Sequence, residues 1–527
     1  MTKIVDASIL SPAAASTHGC HTAADLVAHW AHLQPQRMAL MGAARSYTWS
    51  AFADAAREAA HVLRAGGVVA GDRIPIVSEN SIAAVVLFVA LQRIGAWPAV
   101  VNARLPQAEV GHMVACVDAR LVLYVCEGSG AAQDHASHAG AHAEVMPSLG
   151  EIRVGVHNAG AVPEPAASRV GEQIACLMFT SGTTGHPKAV MLSHRGVLNM
   201  GRVVGEARGT VRDDTIHVAA PLSHAMGMSS LIPALIFGAS ARIVPRLDFA
   251  EMARAIADGS LTQVSMVPTG FVRLLEQIGQ LGIDVSRNRL RTVVAGGAPL
   301  DPGLKARVER CLGVPMVNAY GTTECAPLAR SNASGDAPPW SVGVPERTVS
   351  IRIVDGNGAD VPAGENGEVW ARGPSLMLGY YRNPGATAEV MREGGWYATG
   401  DLGRLLPSGE LALVGRAREM IIRSGFNVYP SEVEAAINSH PAVLQSAVLG
   451  RRVADANEEV IAWVQLRPGA ALTGPVHETL DRHVRAQLAP YKCPSHFHLL
   501  DALPLGATGK VLKRALATRP EGQPLAG

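Results

Sequence analysis

The sequence predicts an α/β protein. A large N-terminal domain of layered α/β subdomains with a β-rich closing subdomain is followed by a small mobile α+β C-terminal domain. Three observations carry this reading. Apolar strands alternate with segments of helical period from residue 22 to about residue 320. From about Trp340 the texture changes to short strands separated by Gly, Asn and Asp. After Gly415 comes a compact tail of roughly domain size. A chain of 527 residues exceeds one ordinary domain, and the boundary is drawn at 1–415 and 416–527.

The elements follow in order. Residues 22–66 read as helix, in "TAADLVAHWAHLQ" and "TWSAFADAAREAAHVLRAGG"; apolar residues recur at spacings of three and four, and Gly66–Gly67 ends the second. "DRIPIVS" is a strand, and "SIAAVVLFVALQRIGAWPAVV" is a buried helix, a Gly stop and another strand. The alternation continues through "RLVLYVCE", "QIACLMFTS", "IHVAAPLS", "GASARIVPR", "QVSMVPT", "RTVVAGG" and "VPMVNAYG", with helices such as "DFAEMARAIADG" and "GFVRLLEQIGQ" between. Residues 127–168, rich in Ala, Gly, His and Pro, read as a mobile surface connection. "VSIRIVDGNG", "GENGEVWARG" and "GELALVGR" form the β-rich part. In the tail, Ser431 and Glu434 fit a capping box, "VLQSAVLG" and "VIAWVQLRPG" are strands, and "HETLDRHVRAQLAP" is a helix stopped at Pro490.

Composition excludes several classes of partner. Hydrophobic residues make up 48% and charged residues 17%, a globular balance. A net charge of +1 gives no reason for nucleic acid or an anionic membrane as partner, and 4% aromatics argues against base-stacking platforms. Seven Cys without a C-x-x-C pair read as reduced thiols, so the expected location is cytoplasmic. "MTKIVDASILSPAAAS" has no apolar core of signal-peptide length. The apolar stretch Ile82–Leu91 is too short to span a bilayer, and Ala225–Ala241 is broken by Ser, Gly and Pro233, so no membrane span is expected.

"FTSGTTGHPK" (179–188) has the composition of a phosphate cradle, yet it is not a Walker loop: Gly182 and Gly185 are three apart, and Ala189 stands where a hydroxyl belongs. Thr180, Ser181, Thr183 and Thr184 offer hydroxyls, Gly182 and Gly185 offer open backbone, and Lys188 adds a cation for a polyphosphate. "NAYGTTE" (318–324) ends a buried strand, where α/β folds place ligands. Its Thr322 and Thr323 suit an α-phosphate, and Glu324 is a hard oxygen ligand suited to Mg²⁺. Tyr320 offers a ring to adenine. Gly297, Ala298 and Pro299 give a close backbone edge, with Asn318, Ala319 and Gly321 beside it. Asp401, in "TGDLG", has two acceptor oxygens that match two vicinal ribose hydroxyls, and Arg416 reaches the same ribose. Alone, such an Asp reads as a turn residue bonding its own backbone. Lys510, in the Gly-rich "GATGKVLKR", would neutralise a carboxylate and an α-phosphate as they approach.

These stretches, with "PLSHAMGM" (221–228) and "GRAREMIIRSGFNVYPSEVE" (415–434), resemble in their order the acyl- and aryl-CoA synthetases of the adenylate-forming superfamily. That superfamily also holds peptide-synthetase adenylation domains and firefly luciferase. The resemblance runs from about residue 25 to the C-terminus. It implies acyl-AMP formation from a carboxylic acid and ATP with Mg²⁺, then transfer of the acyl group to coenzyme A. It implies that the 180–188 loop moves with the β- and γ-phosphates, and that Lys510, Thr323, Glu324 and His224 serve catalysis. Arg418 falls at the hinge position, where Asp or Lys is usual. Ser424, Gly425 and Phe426 match a stretch bordering the pantetheine tunnel. The acyl pocket it implies is lined by Val203, His224, Ala225, Met226 and Val267, together with Gly296, Gly297, Ala319, Gly321 and Ala326. No Lys, Arg or Asp is among them, which disfavours dicarboxylic and amino acids and favours an aromatic or medium-chain monocarboxylic acid. The alternative is an adenylating enzyme that loads a carrier protein; a luciferase-like oxygenase also stays open. The oligomeric state is open too, a homodimer included. His135, His138 and His142 read as a surface run, and Cys325 as a pocket wall with no His base beside it.

Overall fold

The computed structural model describes residues 18–155, 157–181, 187–331, 341–423, 426–453, 457–467, 469–472, 474–506 and 511–517. Gly182, Thr183, Thr184, Gly185, Ser424, Gly425 and Lys510 lie outside the described residues, as does the side chain of Ser181.

Among the described residues the largest sheet has fourteen strands. One half is parallel and runs in the order Met316–Tyr320, Thr292–Gly296, Gln263–Met266, Thr215–Val218, Ser240–Ile243, Met38–Met41. The central strands Gln263–Met266 and Thr292–Gly296 are buried on both faces, as a helix-covered parallel sheet requires. Beyond Met316–Tyr320 the sheet turns antiparallel, through Ala329–Arg330, Ser341–Pro345, Leu411–Arg416, Trp396–Leu405, Gly367–Arg372 and Ser350–Val354. The β-rich part is therefore continuous with the α/β part, and the strand ending at Tyr320 is their seam.

A second sheet of five strands has the order Trp97–Asn102, Arg73–Ser78, Val122–Val125, Gly150–Gly155, His142–Met146. "QIACLMFTS" belongs to neither sheet. It forms the antiparallel hairpin Ile174–Ser181 with Pro187–Ser193, closed by the pairing of Ser181 with Pro187. The C-terminal part has its own sheet, Val443–Arg452, Glu458–Leu466 and His496–Leu499. Helices Pro430–Asn438 and Val476–Arg485 join it in a separate apolar cluster that includes Val433, Ile437, Val448, Val464 and Leu480.

Local chemistry sets the helix ends. Thr22 and Asp25 make a reciprocal capping box for helix Ala23–Leu33, and Ser81 accepts from the Ala84 amide at the start of Ile82–Ile94. That helix is buried on nearly every face, as its uniform hydrophobicity requires, and Gly95 ends it in the left-handed conformation. Helices His194–Ala207 and Ala225–Phe237 pack closely because Gly201 and Gly205 face Ile232 and Phe237. A Cβ on Gly201 would lie 2.3 Å from Ile232 Cγ2. No helix among the described residues is long and apolar enough to cross a membrane.

Four sequence readings need correction. Between the two helices of residues 22–66 the chain makes two short strands, Met38–Met41 and Ser46–Thr48. Residues 127–168 are not a mere connection: they contain helix Gly130–His138 and two strands of the second sheet, and His135 Nε2 lies 3.0 Å from the Ala103 carbonyl. Glu164, near the end of that segment, accepts from the Tyr381 hydroxyl at 2.6 Å and pairs with Arg382 at 3.0 Å. These anchors come from residues more than 200 positions away, which composition does not reveal. The Ser431–Glu434 capping box does not form. Helix Pro430–Asn438 starts with Pro430, Ser431 donates to the Val414 carbonyl at 2.6 Å, and Glu434 accepts from the Val448 amide at 2.8 Å. The penultimate helix ends at Arg485, ahead of Pro490, which instead opens a 3₁₀ turn.

Two buried histidines make stability pH-dependent. Burial depresses the pKa of both His194 and His217 to about 4. An unfolded chain takes up these protons below about pH 6.5, while the folded chain refuses them until about pH 4. The unfolded state binds more protons in that window, so their contribution is complete above about pH 6.5 and is lost as the pH falls toward 4. Urea unfolding measured from pH 7 down to pH 4 should show steadily falling midpoints; a flat profile between pH 6.5 and 5 would contradict this.

Candidate active site

The seam strand Met316–Tyr320 delivers the first group of residues. Asn318 is held in the sheet by its amide, which donates to Ser331 Oγ at 2.8 Å. Tyr320 is buried and donates its hydroxyl to Asp401 Oδ2 at 2.7 Å. Arg416, paired with Asp401 across two antiparallel strands, places Nε 3.1 Å from Oδ1. Both carboxylate oxygens of Asp401 are thus engaged by protein groups. Burial and the neighbouring Asp401 charge push the Tyr320 phenol pKa well up, so it stays a donor.

Past Tyr320 the chain turns through Gly321–Ala326. Thr322 closes the turn: its Oγ1 accepts from the Cys325 amide at 3.1 Å. Thr323 is half-buried and lines a small apolar cavity with Ala225 and Ala326. Cys325 is fully buried, and burial first, then Glu324, raises its pKa to about 12, an inert thiol as expected of a pocket wall. Glu324 is buried as well. Its Oε1 accepts the Tyr380 hydroxyl at 2.8 Å, and Oε2 has no hydrogen-bond partner among the described residues.

The hairpin of Ile174–Ser181 and Pro187–Ser193 reaches this turn through a strip of chain, residues 376–381. On one side, Leu376 bridges to Cys325 and the Met377 amide donates to the Glu324 carbonyl at 2.7 Å. On the other side, Leu378 and Tyr381 donate to the carbonyls of Met191 and Ala189 at 2.9 and 2.8 Å. Lys188, at the hairpin's descending strand, holds its ammonium 4.9 Å from the Tyr380 ring centroid. Thr180 pairs with Lys188 across the hairpin.

Several of the residues assigned to the acyl pocket meet beside this turn. A Cβ on Gly296 would lie 3.1 Å from the Ala319 carbonyl and 3.4 Å from Met226 Cε. Gly297, in the left-handed region at φ 76°, faces Met226 and Val267. Gly321 faces Ala326. Ala298 and Pro299 follow Gly297 at the surface end of this edge, and Val203 is buried on helix His194–Ala207. His224 is the N-cap residue of helix Ala225–Phe237 but makes no side-chain cap bond. Burial lowers its pKa, so it is neutral at pH 7.

On the C-terminal side, Arg418 is exposed in the 3₁₀ turn Ala417–Glu419, directly after the strand carrying Arg416. Phe426 is exposed and stacks on Tyr491 at 4.6 Å.

Two family models match this chain: "AMP-binding enzyme" over residues 27–381 and "AMP-binding enzyme C-terminal domain" over residues 432–510. The chain belongs to the AMP-binding enzyme family. As a member it is similar to the feruloyl-CoA synthase of Amycolatopsis sp, 32% identical over 499 residues that cover 93% of this chain and 97% of that one. It is equally similar to the 2-succinylbenzoate–CoA ligase of Geobacillus kaustophilus, 32% identical over 501 residues covering 92% and 96%. Among solved structures, ATP-bound MatB from Rhodopseudomonas palustris matches with a TM-score of 0.80 at 28% identity, covering 94% and 98%.

Sequence reasoning missed three residues of this AMP-binding enzyme. Tyr380 carries the hydroxyl bonded to Glu324, and no motif around "LGYYRN" pointed to it. Tyr397 lies near Glu324 and Tyr380, and its phenol pKa is raised by burial first and then by those neighbours. Lys513, three residues past Lys510, bridges Glu419 at 3.1 Å and Glu434 at 2.8 Å. Burial works against its charge, but the two carboxylates outweigh burial and hold its pKa up. Nothing in "SEVE" signals that Glu434 pairs with a lysine at 513.

Proposed function

We propose that this AMP-binding enzyme is an ATP-dependent acid–CoA ligase for an aromatic or medium-chain monocarboxylic acid. One observation carries the reading. Small and apolar residues, Met226, Val267, Gly296 and Ala319, cluster beside the turn that presents Thr323 and Glu324, and that turn follows Tyr320, whose hydroxyl bonds Asp401. This nearness supports an apolar acid beside a nucleotide. The names of the two relatives, a feruloyl-CoA synthase and a 2-succinylbenzoate–CoA ligase, support an aryl acid and CoA.

In the first step a carboxylate oxygen attacks the α-phosphorus, the α–β P–O bond breaks, and pyrophosphate leaves. Lys510 and Thr323 offset the charge that builds between the two anions. His224, neutral, donates a hydrogen bond at the carboxylate end of the acid, and Asp401 with Arg416 holds the ribose. Residues 180–185 and Lys188 follow the departing phosphates. The donor set around Glu324 fits Mg²⁺: it is a buried carboxylate with one oxygen steadied and one without a partner among the described residues. When bound, the ion would screen the phosphate charges. In the second step the CoA sulfur attacks the acyl carbon, the acyl–phosphate C–O bond breaks, AMP leaves, and the thiol proton is released. Residues 416–527 act as a lid that swings about Arg418 between the steps, bringing Ser424, Gly425 and Phe426 toward the pantetheine arm.

The test is a panel of carboxylic acids read by pyrophosphate release with and without CoA. Benzoate-like and medium-chain acids should give the highest kcat/KM. Neighbouring homologues should differ modestly, because apolar pockets discriminate by roughly 1–3 kcal/mol per methylene. An amino acid, malonate or acetate at the top of the panel would overturn the substrate class. Thioester formed on a carrier protein but not on CoA would move the enzyme to the carrier-loading reading.

A further inference from the structure

We propose that Tyr380 is a positioning residue that ties the phosphate-loop hairpin to the Glu324 carboxylate, so that polyphosphate and metal are gripped together. The proposal rests on the reading of Glu324 as the metal ligand. Four contacts converge on this one residue. Its hydroxyl donates to Glu324 Oε1 at 2.8 Å in a buried setting. The face of its ring lies 4.9 Å from the Lys188 ammonium. Its backbone forms a β-bridge with Val190, two residues after Lys188, and its amide donates to Thr387 Oγ1 at 2.9 Å.

The consequences are chemical. A carboxylate that ligates a metal through one oxygen needs its other oxygen held, or it rotates and the ligand is lost; groups that orient a ligand in this way are worth roughly 10–100-fold in metal affinity. The bond from Tyr380 leaves Oε2 as the open ligand. The same ring supports the Lys188 cation by a cation–π contact. Lys188 sits where the hairpin meets the residues assigned to the phosphates. One side chain therefore touches both the cation that meets the polyphosphate and the carboxylate that meets its metal.

Calorimetry separates the two halves of this role, with a non-hydrolysable ATP analogue as the probe, titrated with Mg²⁺ and with EDTA. In Tyr380→Phe, which keeps the ring and removes the hydroxyl, affinity for the Mg²⁺–analogue complex should fall roughly 10–100-fold. Affinity for the metal-free analogue and the KM of the acid should stay at the wild-type values, while loss of the buried hydrogen bond should lower the thermal midpoint modestly. In Tyr380→Leu, which also removes the ring under Lys188, metal-free affinity should fall as well. Wild-type Mg²⁺ affinity in Tyr380→Phe, or an equal loss with and without Mg²⁺, would overturn the proposal. So would identical metal-free affinity in the Phe and Leu variants. Glu324→Gln serves as the control for the underlying reading. If it keeps full Mg²⁺ dependence, the metal assignment fails and takes the proposal with it. If it loses that dependence while Tyr380→Phe does not, only the role of Tyr380 is refuted.

Discussion

Lys510→Ala will lower acyl-adenylate formation by roughly 10²–10³-fold, the usual cost of removing one preorganised charge-stabilising donor, and will leave transfer of a ready-made acyl-AMP to CoA close to the wild-type rate. The asymmetry follows from where the lysine is carried. On either side of it, Leu505 bridges to Val511 and the Leu512 amide donates to the Pro504 carbonyl at 2.8 Å. The helix behind it, Lys513–Ala517, is held by Lys513 to Glu419 and Glu434. On the proposed alternation, Lys510 travels with residues 416–527, and its ammonium would meet the α-phosphate only in the orientation that serves the first step. Pyrophosphate exchange reports the first half-reaction, and stopped-flow mixing of synthetic acyl-AMP with CoA reports the second. Equal losses in both would refute alternation between two orientations.

Asp401→Ala will cost stability as well as nucleotide affinity. The substitution leaves the Tyr320 hydroxyl buried without its acceptor and Arg416 without its counter-ion. We expect about 3 kcal/mol, at the low end for breaking a buried ion pair, because Arg416 keeps some access to water. Asp401→Asn retains an acceptor for Tyr320 and should recover part of that loss. The KM for ATP should rise in both variants while the KM for the acid moves little. Urea denaturation measures the first effect and initial-rate kinetics the second. If Asp401→Ala unfolds at the wild-type urea concentration, the three-residue cluster contributes nothing to the fold.

The layered α/β fold was legible because its signals are local. Strands such as "RTVVAGG" and "VPMVNAYG" are apolar runs bounded by Gly, and the caps at Thr22 and Gly95 act within one turn of helix. The motif residues were legible for the same reason: Asp401, Glu324 and Lys188 each sit in a short stretch of distinctive composition. Long-range stitching was not legible. Tyr320 reads as a ring for adenine, yet its hydroxyl is committed to Asp401, 81 positions away. Ser431 reads as a cap, yet it donates to the Val414 carbonyl, 17 positions away. Tyr380 and Tyr381 are adjacent, but one bonds Glu324 and the other Glu164. Side chains of one type, placed next to each other, give no sign of which distant carboxylate each will meet.

The strip of residues 376–381 constrains how this enzyme is recombined with its relatives. It is stitched by backbone bonds to Glu324 on one edge and to Ala189 and Met191 on the other. A crossover placed between residues 191 and 376 would bring a hairpin from one parent against a strip from another. The backbone bonds would survive such a graft, since any sequence makes them. The side-chain fit of Lys188 over Tyr380, and of Tyr380 against Glu324, would survive only if both parents share those three residues. Chimeras that take 180–191 and 324–381 from a single parent keep that parent's fit of Lys188, Tyr380 and Glu324 intact.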